Sequence, residues 1–355
     1  MHNHSQPFAA VRFLSRLATL CAIALGSACA GATSLSRHES SSDELAWLAP
    51  TTAADLRALD RWRRSVGPAF VARAAHDPAP ARRLLVVSWN TAVGSADVVK
   101  LVTDLRAREG ADVPVVLLLQ EVYRAGAEVS PDLDRHASFA ARIGAIRDES
   151  DPRDVASIAR ALRMNACYAP SMRNGAPAVS DEDRGNAILS TLPLADLTAI
   201  ELPFERQRRV AVAARVSGLG ADGQPWSLRV VSAHLDNVAG PRRLWLVGSG
   251  YARRRQARAL VSYLADTTPT VLGGDLNTWW GFDDRAYKEA ARAFHAGLPN
   301  DQRPTFRGLL RLDHVFFRLP AGWRGHAERG PSRFGSDHYP LIARIDLAAD
   351  APPSE

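Results

Sequence analysis

Short apolar runs in this chain repeatedly end on a polar side chain that can do chemistry. Val86-Val87-Ser88-Trp89 leads into Asn90, Leu117-Leu118-Leu119 into Gln120 and Glu121, Val230-Val231-Ser232-Ala233 into His234, and Val271-Leu272-Gly273-Gly274 into Asp275 and Asn277. Runs this short and this rich in Val and Leu read as buried strands rather than helices. A buried strand that stops on an acid, amide or imidazole delivers that group to the edge of a sheet, where α/β proteins bind ligands. Asn and Asp also begin ordinary turns, but the repetition of the pattern, with three kinds of polar group, points to a built site.

Around these runs the chain reads as strands mixed with helices. Leu84 to Trp89 and Val115 to Leu119 are strands joined by a helix from Ala96 to Arg108, a β-α-β opening. Asp151-Pro152 predicts a cap and first turn for a helix carrying Val155, Ile158, Ala159 and Leu162 on one face. Further strands are expected at 187–190, 210–216, 228–233, 270–272, 315–317 and 341–345, and a basic amphipathic helix from Arg253 to Leu264. Before them, residues 31–83 read as a leader with one packed helix: Thr52 and Asp55 form a capping box, followed by Leu56, Leu59, Trp62, Val66 and Phe70 at helical spacing. Residues 348–355 read as a tail. The 355 residues, 46% of them hydrophobic, suffice for one large core and exclude a globally disordered chain. No glycine-rich phosphate loop is present, so the sequence predicts no nucleotide cofactor.

The first thirty residues read as an export signal. Arg12 and Arg16 precede the mostly apolar run Leu17 to Leu25, and Ala28-Cys29-Ala30 offers a small-residue cleavage site. Export as a soluble protein is expected ahead of lipid anchoring through Cys29, because Gly26 stands where a lipoprotein signal has an aliphatic residue. Cys21 and Cys29 lie in that segment, which leaves Cys167 as a buried packing residue and not a disulfide partner. The formal charge of +6 suits an anionic substrate. Since Lys100 and Lys288 are the only lysines among 44 basic residues, the arginine bias by itself carries little weight.

The ordered segments Ser88-Trp89-Asn90, Leu119-Gln120-Glu121, Gly185-Asn186-Ala187-Ile188-Leu189-Ser190, Ser232-Ala233-His234-Leu235, Gly274-Asp275-Leu276-Asn277, Leu312-Asp313-His314-Val315-Phe316 and Ser336-Asp337-His338-Tyr339-Pro340 resemble the motifs of the endonuclease/exonuclease/phosphatase superfamily of metal-dependent phosphodiesterases. The resemblance covers residues 84–347. It implies a four-layered α/β sandwich, two packed mixed β-sheets flanked by helices, acting as a monomer on a phosphodiester substrate. It implies Mg²⁺ or Mn²⁺ held by Glu121, Asn90 and Asp337, hard oxygen ligands suited to such ions. It implies catalysis by His338, as general base or as a positioned cation, with Asp313 fixing its tautomer. Asp275 and Asn277 would hold the attacking water or a phosphate oxygen, and His234 would donate to the phosphate, with no carboxylate partner identifiable for it in the sequence.

Other residues invite weaker expectations. Asn186 and Arg184 are candidate phosphate contacts, and Trp279 and Trp280 a shelf for a base or a lipid, with one of the two expected to pack inward. Arg206, Arg208, Arg209, Arg242 and Arg243 are loop cations whose default reading is solvated charge. Arg253-Arg254-Arg255 is expected to lie away from substrate, and His314 to be structural because strand alternation turns it away from Asp313. Thr91-Ala92 departs from family members that carry an acid or amide there. Within the superfamily a nuclease is the first expectation, a sphingomyelinase-like or other lipid or inositol phosphate phosphodiesterase or phosphatase the second. A non-catalytic binding module on the same scaffold would require the loss of an essential group.

Overall fold

The computed structural model describes residues 34–38, 42, 44–74, 79–129, 137–145, 150–238, 245–294 and 301–347, with the backbone alone at 245–247. The export-signal residues, Arg242, Arg243 and the tail at 348–355 lie outside the described residues.

Two mixed sheets stack face to face. The first runs in the order β1 (Leu35–Arg37), β2 (Leu45–Pro50), β9 (Leu194–Glu201), β10 (Val210–Gly220), β11 (Pro225–His234), β12 (Thr270–Asp275) and β13 (Asp313–Arg318), with β4 (Pro80–Ala81) beside β10. The second runs β14 (Arg324–Arg329), β15 (Leu341–Asp346), β5 (Arg83–Asn90), β6 (Val115–Ala125), β8 (Glu182–Ser190), β7 (Asn165–Arg173) and β3 (Phe70–Ala72). The helices are α1 (Ala53–Arg63), α2 (Val98–Glu109), α3 (Val155–Leu162), α4 (Trp245–Tyr263) and α5 (Arg285–Phe294).

Alternation along each strand sorts the side chains into layers. Val86, Val116, Leu118, Ile188, Val212, Val230 and Val271 point between the sheets and form the central core. Leu85, Val87, Leu117 and Leu189 point the other way, onto Leu101, Leu105, Ile158 and Leu162 of α2 and α3. Val231, Leu272 and Phe316 cover Leu260, Ala290 and Phe294 of α4 and α5. This is the expected four-layered sandwich. Cys167 lies in the central core, where burial pushes its thiol up to about 12.

Several local expectations need correction. The leader does more than pack one helix: β1 and β2 extend the first sheet and β3 the second, β2 lying parallel to β9 with Leu45 opposite Leu197. Its Ser-rich composition hides this because the signal for an edge strand is its partner, which is far away in sequence. Thr52 caps α1 as expected, but the helix ends at Arg63, and Phe70 enters a strand. The cap of α3 is Asp154, whose Oδ1 accepts from Ala156 N at 2.8 Å, and not Asp151.

Candidate active site

Each sheet presents a graded inner face. Val271, Gly273 and Asp275 share a side of β12; Val230, Ser232 and His234 a side of β11; Val86, Ser88 and Asn90 a side of β5. Towards one end of the sandwich the inward positions therefore change from apolar to small to polar. Register then aligns the polar ends: His234 sits opposite Asp275, and Asp275 opposite Asp313, across three adjacent strands, while Asn90 sits opposite Gln120 in the facing sheet. Gly273 is needed for the close approach of the sheets, since a Cβ there would meet Ser88 Cβ at 2.7 Å and Leu118 Cδ1 at 2.9 Å.

Asp275 is the hub. Its carboxylate accepts from Asn90 Nδ2 at 2.9 Å and from the Asn277 backbone N at 2.9 Å. Its Oδ2 lies 3.6 Å from His234 Nε2 and 3.8 Å from His338 Nε2. Asn277 adopts a left-handed φ of 51° and donates through Nδ2 to Leu235 O at 2.9 Å, closing the strand end over the site. Asp313 Oδ2 lies 2.8 Å from His338 Nδ1, as the predicted dyad requires, although 25 positions separate them. Trp89 Nε1 donates to His338 O at 3.0 Å and Ser336 Oγ accepts from His338 N at 3.0 Å, which fixes the histidine's backbone.

The electrostatics follow from burial plus neighbouring charge. Burial alone would hold His338 neutral, but Asp313 and then Asp275 outweigh it and raise its pKa above the ordinary imidazole value. Burial, reinforced by Asp313, raises Asp275 above the carboxylate range. His234 goes the opposite way. Burial, Arg209, His338 and Arg184 hold its pKa well below the ordinary value, so it is a neutral imidazole. No carboxylate hydrogen-bonds His234 among the described residues: Asp275 Oδ2 stays 3.6 Å from Nε2, while Arg209 Nη1 lies 3.2 Å from Nδ1 and 3.3 Å from Nε2.

Glu121 stands at a β-bulge of β6 with a left-handed φ of 50°, a conformation costly for a residue with a Cβ and common at functional sites. Asp337 is partly exposed, 3.9 Å from His338 Nε2 and 3.4 Å from Arg307 Nη2. Asn186 donates from Nδ2 to Val210 O at 2.9 Å, a bridge between the two sheets. Trp279 is half-buried, its Nε1 donating to Asn237 O at 3.0 Å, whereas Trp280 is 62% exposed.

Two of the loop cations are not solvated. Arg208 is buried against Glu201 at 2.7 Å, and Arg209 against Asp236 at 3.3 Å. Arg253 is buried with Asp284 at 2.8 Å, a structural pair. His314 is structural as expected, its Nε2 within 2.7 Å of Thr278 Oγ1. One element had no signal in the sequence. In the loop 305–311, Thr305 Oγ1 accepts from Asp313 N at 3.1 Å, the Phe306 ring lies 4.9 Å from that of His338, and Arg307 meets Asp337. Thr305-Phe306-Arg307 thus supports three site residues in a row. Only the pairing of this loop with 337–339 reveals it.

A buried Asp/Asp/His group could hold a divalent cation. Asp275, Asp313 and His338 offer ligand atoms all within 4.8 Å of one another, and Asp313 Oδ1 is buried without a hydrogen-bond partner. An orphaned carboxylate oxygen beside a second carboxylate suits a hard cation. This cluster differs from the expected set of Glu121, Asn90 and Asp337, to which it is joined through the Asn90–Asp275 hydrogen bond.

Residues 87–338 match the sequence model of the Endonuclease/Exonuclease/phosphatase family. A UPF0294 protein of Vibrio cholerae is 34% identical over 100 residues, covering 26% of this chain and 34% of that relative. The chain thus spans about a third of the length of the curated relative it matches. The endonuclease/exonuclease/phosphatase structure from Beutenbergia cavernae superposes with a TM-score of 0.50 at 21% identity, over 77% of this chain and 74% of that one. An endonuclease/exonuclease/phosphatase family protein from Leptotrichia buccalis gives a TM-score of 0.49 at 13% identity, over 74% and 99% of the two chains.

Proposed function

The chain belongs to the endonuclease/exonuclease/phosphatase family, whose members are divalent-metal-dependent phosphoesterases, and we propose that it hydrolyses phosphodiesters, with nucleic acid as its substrate. The observation that carries this reading is the Asp313–His338 pair at 2.8 Å, buried at the polar end of the sandwich with Asp275 and His234 around it. Asp313 accepts from Nδ1 of His338 and so leaves Nε2 facing the site. The raised pKa supports the positioned-cation role over the general-base role: Nε2 holds a proton for the phosphoryl oxygens or the departing alkoxide. Asp275, tied to Asn90 and Asn277, orients the attacking water, and neutral His234 faces the phosphate. A divalent cation, Mg²⁺ or Mn²⁺, held by Glu121, Asn90 and Asp337 beside Asp275, would supply charge neutralisation at the phosphoryl group.

The purified protein should hydrolyse bis-p-nitrophenyl phosphate with Mg²⁺ or Mn²⁺ and stop when the cation is chelated. Hydrolysis indifferent to chelator would overturn the reading. A second reading, a lipid phosphodiesterase, is favoured by Trp280 and Leu309, which are 62% and 78% exposed on the loops 278–282 and 305–311 beside the site. A panel of plasmid DNA, RNA, sphingomyelin and phosphoinositides separates the two; turnover of lipid with nucleic acid left intact would reverse their order. We also propose that the protein is exported, on the strength of the Arg12 to Ala30 pattern. Mass spectrometry of the product from its native host should then find an N-terminus near Gly31. A chain that keeps its N-terminus and stays in the cytoplasm would overturn export. Among the described residues no helix is long and apolar enough to cross a membrane.

A further inference from the structure

Buried arginines in this protein come with oxygen partners. Arg124 donates to Asp183, Arg173 to Ser180 O and Asp181, Arg208 to Glu201, Arg209 to Asp236, Arg253 to Asp284, and Arg311 to Arg303 O. Arg184 breaks the rule. Its residue is 7% exposed, its Nη1 has no hydrogen-bond partner, and its Nη2 reaches only Met172 Sδ at 3.6 Å. Among the described residues it forms no ion pair. A buried guanidinium left without an oxygen acceptor is costly, and burial pulls its pKa below the ordinary arginine value.

Its position says what it waits for. Arg184 lies two residues before Asn186 and four before Ile188, on the inward side of β8, at the end of the strand where the catalytic groups gather. The bulge of β6 at 119–122 lies on one side of it, and the bulge of β7 at 170–172 on the other. The titratable groups that act on it are Glu121, Arg209 and Tyr168, and it acts in turn on His234. Arg209 is held by Asp236 and turns Nη1 to the His234 ring. Two guanidinium groups therefore converge beside a neutral imidazole, and only one of them has a carboxylate.

We propose that Arg184, supported by Arg209, forms a preformed subsite for a tetrahedral phosphoryl oxyanion, and that this subsite binds its anion without the metal. A planar fork of donors matches two phosphoryl oxygens at once. The proposal rests on the phosphodiesterase reading for its place in a reaction, and it assigns ground-state capture of the phosphate to β8 rather than to the cation. Arg184 and Arg209 bind the group, and the Asp313–His338 pair then acts on it.

The test is a thermal-shift and calorimetric titration of the full chain with inorganic phosphate, in chelator. The wild type should bind phosphate and rise in Tm with its concentration. Arg184→Met should raise Tm in phosphate-free buffer, because the unpaired charge is gone, and weaken phosphate binding at least tenfold; Arg184→Lys should restore part of the binding. An Arg184→Met protein that melts lower without phosphate, or that binds phosphate as the wild type does, would overturn the proposal. Phosphocholine and a deoxynucleoside monophosphate in place of phosphate tell a lipid headgroup from a nucleotide as the source of the anion, and loss of binding to both in Arg184→Met supports the subsite. Bis-p-nitrophenyl phosphate hydrolysis, assayed in parallel, keeps the two readings apart. Metal-free binding without metal-dependent hydrolysis would leave the subsite standing and sink the function. Hydrolysis with unchanged phosphate binding in Arg184→Met would do the reverse.

Discussion

The space between the two sheets has two ends, and they obey different rules. At one end Val86, Val116, Leu118, Val212, Val230 and Val271 fill the gap, fully buried and apolar. At the other, the same strands present Asn90, Gln120, His234 and Asp275, with Asp313 and His338 beside them, all buried as well. Burial is equal at the two ends, but what it does is opposite. In the apolar half it contributes stability, roughly 25 cal/mol for each Å² of apolar surface removed from water. In the polar half it moves proton affinities, upward for Asp275 and downward for His234, while at His338 the carboxylates of Asp313 and Asp275 outweigh it and raise the imidazole. The sandwich thus uses one end to stay folded and holds a high-energy cluster of titratable groups at the other.

Perturbations should separate the ends. Chelation of divalent metal should have the largest effect, abolishing hydrolysis of bis-p-nitrophenyl phosphate while circular dichroism shows the fold intact. His338→Ala should lower kcat on the order of 10² or more with little change in Tm, and raising the metal concentration should not rescue it, whereas Glu121→Ala should be partly rescued. Asp313→Asn should lose a comparable amount, and the double variant little more than the worse single, because the pair acts as one unit. Additive losses would show that the 2.8 Å contact is not the functional one.

At the apolar end the signs reverse. Leu118→Ala should cost about 2–5 kcal/mol of stability, read by urea unfolding, and leave kcat of the folded fraction nearly unchanged. A matching loss of kcat would mean that the halves are mechanically coupled. Gly273→Ala, at the seam, should cost about 1–3 kcal/mol by overpacking against Ser88 and Leu118, with a modest fall in activity because Asp275 is two residues away.

The layered class and the Asp313–His338 pairing were expected only from the resemblance of the ordered motifs to a known family. The strand ends were legible in the amino-acid order, because the polar residue that stops an apolar run is a local signal. The same holds for the Thr52–Asp55 cap and for His314, turned away from Asp313 by the two-residue period. What the order of residues did not reveal is partnership. Leu45–Pro50 is a strand because β1 and β9 lie alongside it, and Asp154, which caps α3 through Oδ1, is also tied through Oδ2 to Ala125 N at 3.0 Å. Arg208 and Arg209 read as loop charges until Glu201 and Asp236 are brought to them, and the loop 305–311 means nothing until it pairs beside His338. The isolation of Arg184 is likewise invisible in sequence, for an unpaired charge is defined by everything that fails to reach it. Local periodicity determined which residues face the space between the sheets. Only the tertiary structure decided which charges meet there, because an ion pair depends on a distance across the chain and not along it.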